Sequence, residues 1–251
     1  MRIIVLLCLS LFAAATAAES GAALRPAAAV YSWQAGAAGD WQIPSNWSPH
    51  RTNPAADDVL YFVGGGTTTV TSVPAQTIGK LIVEGNTTVD LQSAAAVTLT
   101  IVGGDGTDLT VESTSALNLS GASAIEVDLM TGATGVIGGA MTFASSGSAG
   151  HRLTAIDNGA IIFNGGSLFT AGSGFVGNPF GTTHLNSVVF DDGATYVYIA
   201  GGDPFGAAEP NSVVLFRTGS LFSLRGNANT AFFSGRTYAN FELNYPGGDP
   251  F

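Results

Sequence analysis

The residues of this chain best equipped for chemistry are acidic pairs, a few arginines and three tryptophans, and each set points to a different activity. Asp191-Asp192 with Asp203, and Asp57-Asp58, offer oxygen ligands to a hard cation. Such a cation needs several oxygens converging on one point, however, and two adjacent carboxylates splayed at a turn supply only part of that set. Asp192 also precedes Gly193, where turn formation accounts for it equally well. Gly103-Gly104-Asp105-Gly106-Thr107-Asp108 matches the opening of a calcium-binding nonapeptide repeat. Its eighth position should be large and apolar but is Thr110, and no tandem copy follows, which leaves Asp105 and Asp108 as weak calcium candidates.

Trp33, Trp41 and Trp47 could stack on sugar rings as a carbohydrate-binding site, or cover the end of a hydrophobic core. Large indoles are seldom left exposed, and their position ahead of the repeats described below favours the cap. His50, His151 and His184 are far apart in sequence, with no serine or cysteine motif beside any of them. Arg152, Arg217, Arg225 and Arg236 are the available strong bases, and Arg217 is placed to meet Asp191 or Asp192 one repeat earlier. A solvated ion pair of that kind contributes no more than about 1 kcal/mol.

The elements that would position these residues are set by one recurring pattern. A large apolar residue is followed six positions later by another at Val83/Val89, Val111/Leu117, Ile137/Phe143, Phe163/Phe169, Phe190/Tyr196 and Phe216/Phe222, and the pairs recur about every 26 residues. A fixed period of this length marks a solenoid. The last copies also match in identity: Asn178-Pro179-Phe180-Gly181 and Asn186-Ser187-Val188-Val189-Phe190 answer to Asp203-Pro204-Phe205-Gly206 and Asn211-Ser212-Val213-Val214-Leu215-Phe216. That alignment places an inserted residue within the strand near Leu215.

Segments such as Leu109-Thr110-Val111 and Thr195-Tyr196-Val197-Tyr198 are short, β-branched or aromatic, and bounded by Gly, Asn or Asp, so they read as strands. The expected architecture is all-β: a right-handed parallel β-helix of about 26 residues per coil, with roughly seven coils from Val59 onward. Strands pair with their equivalents one coil away, about 4.8 Å apart. The stacking positions 83, 111, 137, 163, 190 and 216 then lie inside, while their neighbours alternate to Thr, Ser, Asn and Asp.

The chain opens with Met1-Arg2, an apolar run from Ile3 to Ala15, and small residues through Ala18, the form of a secretory signal over residues 1–18. Residues 19–58 read as linker and Trp-rich cap, and 59–251 as repeats ending without a capping variant, which suggests part of a longer polypeptide. The apolar run is too short to span a bilayer. The single cysteine, Cys8, lies inside the signal, so the mature chain has no disulfide and no cysteine site. Removing Arg2 from 8 basic residues leaves 7 against 18 acidic ones, which disfavours nucleic acid and anionic membranes as partners. Apolar residues make up 46% of the chain and are periodic, which argues against disorder.

One resemblance can be placed on particular residues. Trp33, Gly39-Asp40-Trp41, Asn46-Trp47-Ser48-Pro49, Pro54 and Asp57-Asp58-Val59-Leu60-Tyr61-Phe62 are similar to the start of many secreted bacterial β-helix proteins, the autotransporter-like and adhesin-like surface proteins with β-strand repeats. The resemblance implies an extracellular or cell-surface β-solenoid acting as stalk or adhesive surface, with glycans or other surface proteins as partners, no cofactor and no catalytic residue. The alternatives are a β-helical polysaccharide lyase, using an arginine base near carboxylates, and a carbohydrate-binding module built on the tryptophans.

Overall fold

The structure, a computed structural model, describes residues 28–226 and 232–245. The expected signal segment and the last residues of the chain, Gly247 to Phe251, lie outside this range. The chain is a β-solenoid of about eight turns. One turn shows the logic: Leu109–Val111, Ala116–Leu119 and Ile125–Leu129 are three short strands, each alternating between core and surface. Each pairs in parallel with its counterpart in the next turn, Gly135–Ile137, Ala140–Phe143 and Arg152–Ala155. The described residues thereby form two sheets of nine strands and one of four. Backbone donors and acceptors are satisfied between turns, so each turn depends on its neighbours.

The first inward ladder follows the sequence reading. Phe62, Val83, Val111, Ile137, Phe163, Phe190 and Phe216 are consecutive register partners on the first sheet. The second ladder needs a correction. Leu117 pairs with Met141, and Met141 with Phe169, so Phe143 belongs one row further along, between Leu119 and Ala171. The turn Gly138-Gly139 is two residues shorter than its equivalents, which moves the partner from six positions to four. Only glycine fits there, because a Cβ on Gly139 would overlap the carbonyl oxygens of Ser115 and Glu112.

Two further readings change. Phe241 is not the start of a turn after Phe216 but the register partner of Phe222 on the second sheet, which explains why no residue six beyond completes it. The inserted residue lies ahead of the strand, not within it: Val188 pairs with Val214 and Val189 with Leu215, while Asn186 N–H donates to Ser212 O. Matching by identity would shift this strand by one residue and turn its inward side chains outward. The stacking of Phe190 on Phe216, 5.2 Å apart, holds the observed register instead.

The solenoid begins earlier than Val59. Val30–Trp33 pairs in parallel with Val59–Phe62, and Ala38–Asp40 with Gly66–Thr71. Outside them Trp47–Ser48 runs antiparallel to Val30–Trp33 and closes that edge of the first sheet. The regular spacing continues to Phe62 and Thr68, and the polar residue hid it: Thr68 is buried and accepts the Trp33 Nε1–H at 3.0 Å.

The third sheet stops at Arg152–Ala155. In the next turn Leu153 N–H donates to Pro179 O, but proline has no N–H to return and cannot continue the ladder. The Asn-Pro-Phe-Gly and Asp-Pro-Phe-Gly loops put Phe180 and Phe205 into the core instead. This is where the aliphatic core turns aromatic, with Phe163 and Phe190 stacked at 4.5 Å and 2° between planes. On the second sheet the outward row is polar as read, running through Asp90, Asn118, Thr142 and Thr170. The alternate row of the first sheet departs from that reading, with Tyr61, Ile82, Val136, Ile162, Val189 and Leu215 interrupted only by Thr110, and Val189 is itself covered, at 2% exposure.

Candidate functional site

The outer face of the third sheet carries the densest polar chemistry in register. Glu126 and Arg152 are cross-strand partners, as are Asp128 and Thr154. Thr154 Oγ1 lies 2.8 Å from Asp128 Oδ1 and 3.3 Å from Glu126 Oε1, and its single proton goes to the nearer oxygen. Thr98 and Thr100 continue the two rows one turn back. Beside this wall runs a floor of small residues, Ala75, Ala96, Ala124 and Gly150, one from each of four successive turns. Thr98, Glu126 and Arg152 from this wall, with Val97 and the floor, line an open cavity of about 600 Å³. Three turn spacings give it a length of about 14 Å along the solenoid axis.

At its N-terminal end the cavity shares Ala75 with a second one of about 230 Å³, lined by Trp41, Gln42, Arg51, Pro54, Pro74, Ala75 and Gln76. Arg51 is buried, its Nε 2.7 Å from Asp58 Oδ2 and its guanidinium 5.8 Å from the Trp47 ring. Asp58 Oδ2 also accepts the Ala55 N–H, at 3.0 Å. Gln76 Oε1 accepts from Trp41 Nε1 at 3.3 Å, while Gln76 Nε2 is buried without a hydrogen-bond partner.

The residues singled out from sequence are distributed differently. Trp33, Trp41 and Trp47 form one cluster with Phe62, with centroids 5.0 Å apart for Trp33 and Trp47 and 5.2 Å for Trp41 and Trp47. Their exposures of 8%, 2% and 1% place the indoles within the packed cap and not on an exposed stacking platform. Asp108 is fully buried: its carboxylate accepts the Gly104 N–H at 2.8 Å and the Thr134 N–H at 2.9 Å. The Lys80 ammonium lies 3.4 Å from it and donates to the carbonyls of Asp105 and Thr107. The oxygens that suggested calcium therefore surround the only lysine in the chain.

Arg217 reaches Asp191 at 3.4 Å, with the two side chains 50% and 40% exposed, an ordinary solvated pair. Arg225 makes a similar pair with Glu242 at 3.7 Å. Arg236 is structural. It lies 3.2 Å from Asp203, donates to the carbonyls of Phe232, Asn211 and Ala207, and sits 4.7 Å over the Phe205 ring. Of the four arginines only Arg152 belongs to the groove. Among the described residues, no group of three or more His, Cys, Asp or Glu side chains is arranged to hold a metal. Glu126, Asp128 and Thr154 escaped the sequence reading, although the spacing of 26 from Glu126 to Arg152 and from Asp128 to Thr154 was the signal that would have found them.

The three histidines stay apart, and His151 is built into the core. Its Nδ1 accepts the Ile125 N–H at 3.1 Å, which requires an unprotonated nitrogen. Burial lowers its pKa below 6.5, outweighing the Ala144 carbonyl and the Asp90 charge, which raise it. The unfolded chain therefore binds this proton more readily than the native one. The stability that depends on neutral His151 is complete above pH 6.5 and is lost as pH falls through the native pKa. The urea midpoint of the wild type should drop on acidification below pH 6.5, and a His151→Gln variant, compared at each pH, should lack that component. Parallel pH profiles would contradict the assignment.

No protein-family model, curated protein or solved structure matches this chain.

Proposed function

We propose that the chain is an exported, cell-surface β-solenoid that serves as a stalk or adhesive surface and catalyses no reaction of its own, in the manner of adhesin-like β-strand repeat proteins. The observation that carries this reading is the pair of nine-stranded sheets, one reaching from Val30 to Phe216 and the other from Ala38 to Leu243, in which each turn is hydrogen-bonded to the next. The N-terminal secretory pattern supports an extracellular setting. The half-exposed Arg217–Asp191 pair is better suited to joining turns than to abstracting a proton.

The test is expression with the native N-terminus in a secreting bacterial host, followed by N-terminal sequencing of the exported protein. Beads coated with it are then offered to cell-surface extracts, and soluble polysaccharides are assayed for new chain ends. The expected result is processing after Ala17 or Ala18, retention of beads on the extract, and intact polysaccharide. Retention of the protein inside the cell would overturn the export reading. New unsaturated chain ends that disappear in Arg152→Ala would replace the adhesive reading with a lyase.

A further inference from the structure

The geometry points to the third-sheet groove as a binding site for one strand of an uncharged, hydroxyl-rich linear polysaccharide, lying along the solenoid axis. This inference rests on the adhesive reading and names the partner of that surface. Its first support is dimensional. The floor repeats once per turn at Ala75, Ala96, Ala124 and Gly150, so the groove presents the same small step about every 4.8 Å. A pyranose ring in an extended chain spans about one such step, so the groove has room for roughly three rings.

Chemistry is the second support. The Glu126 carboxylate and the Thr98 hydroxyl accept or donate as sugar hydroxyls require, and Arg152 adds a donor from the next turn. An extended peptide lacks a matching partner here. The backbone of Val97–Ile101 and Ile125–Leu129 is paired on both sides, leaving no edge to extend, and the flat floor has no pockets for alternating side chains. An acidic glycan meets the Glu126 carboxylate in the wall and the net acidic charge of the protein. Where the groove enters the cap, Gln76 Nε2 is a buried donor without a partner, in a cavity lined also by the nine-tenths-buried Arg51. A chain end reaching that cavity would complete it.

The probes are immobilised cellohexaose, xylohexaose and chitohexaose, with polygalacturonate as the charged contrast, measured against the full chain by biolayer interferometry. At least one neutral hexamer should bind, more tightly than its own dimer. Ala96→Trp, which fills the exposed floor, and Arg152→Ala should each weaken binding at least tenfold while the circular dichroism spectrum is unchanged. Binding of no neutral hexamer, binding of polygalacturonate alone, or binding indifferent to Ala96→Trp would overturn the site. Bead adhesion that persists while no hexamer binds would sink the groove and leave the adhesive reading standing. Cleavage of a bound hexamer would sink the non-catalytic reading and leave the groove.

Discussion

Phe190→Ala should lower the unfolding free energy by about 3–5 kcal/mol. The ring is fully buried, stacked 4.5 Å from Phe163 on one side and 5.2 Å from Phe216 on the other, with Tyr196 at 5.6 Å. Those neighbours cannot close the hole, because each is held at its own level by hydrogen bonds to the turns above and below. The loss combines the transfer of a large aromatic, the cavity left behind and the ring contacts on both faces. Leu215→Thr is the contrast. It lies one residue from Phe216 but faces solvent, 41% exposed, and should shift stability by less than about 0.5 kcal/mol. Urea unfolding followed by circular dichroism distinguishes the two, and equal effects would mean that the two rows do not face opposite ways.

A change of similar size is expected in the cap. Asp58→Ala leaves the Arg51 guanidinium buried without its counter-ion, at a cost of about 3–5 kcal/mol. Much of this loss reflects the stranded charge. The double variant Arg51→Met with Asp58→Leu removes both charges and should therefore recover most of the stability. The readout is built in, because all three tryptophans pack within this cap. Loosening it exposes the indoles and shifts their emission to longer wavelength before the turns of the C-terminal half unfold. A double variant as damaged as Asp58→Ala would show that the pair is itself stabilising.

The fold was legible because stacking makes each inward position repeat its chemistry, so Val83, Val111, Ile137, Phe163, Phe190 and Phe216 announce their own register. The pattern blurs where local geometry intervenes. The Gly138-Gly139 turn removes two residues, Thr68 replaces an apolar residue with a buried acceptor for Trp33, and Ser212 sits ahead of a strand whose letters match its neighbour one position out of step. The candidate site was less legible for a different reason. Binding residues on a solenoid converge across turns, so Glu126 and Arg152 meet although 26 residues separate them, whereas the adjacent acidic pairs that catch the eye are divided between turn formation and burial. The outward apolar row of the first sheet had no sequence warning beyond its own letters, because the same β-branched residues serve strands on either face.

The parallel one-turn register underlies both the core and the groove. Its most direct measurement is disulfide formation in a Cys8→Ser background, where no other cysteine remains. Register partners on adjacent turns have Cα atoms about 4.8 Å apart, within the range a disulfide spans. Val189→Cys with Leu215→Cys, register partners of which Val189 is 2% exposed, should oxidise to a faster-migrating species with a small diffusible oxidant. Val189→Cys with Val214→Cys, the pair that identity matching would align, should remain reduced because Val214 faces the core. The reverse outcome, with the second pair bridged and the first free, would contradict the register and the architecture built on it.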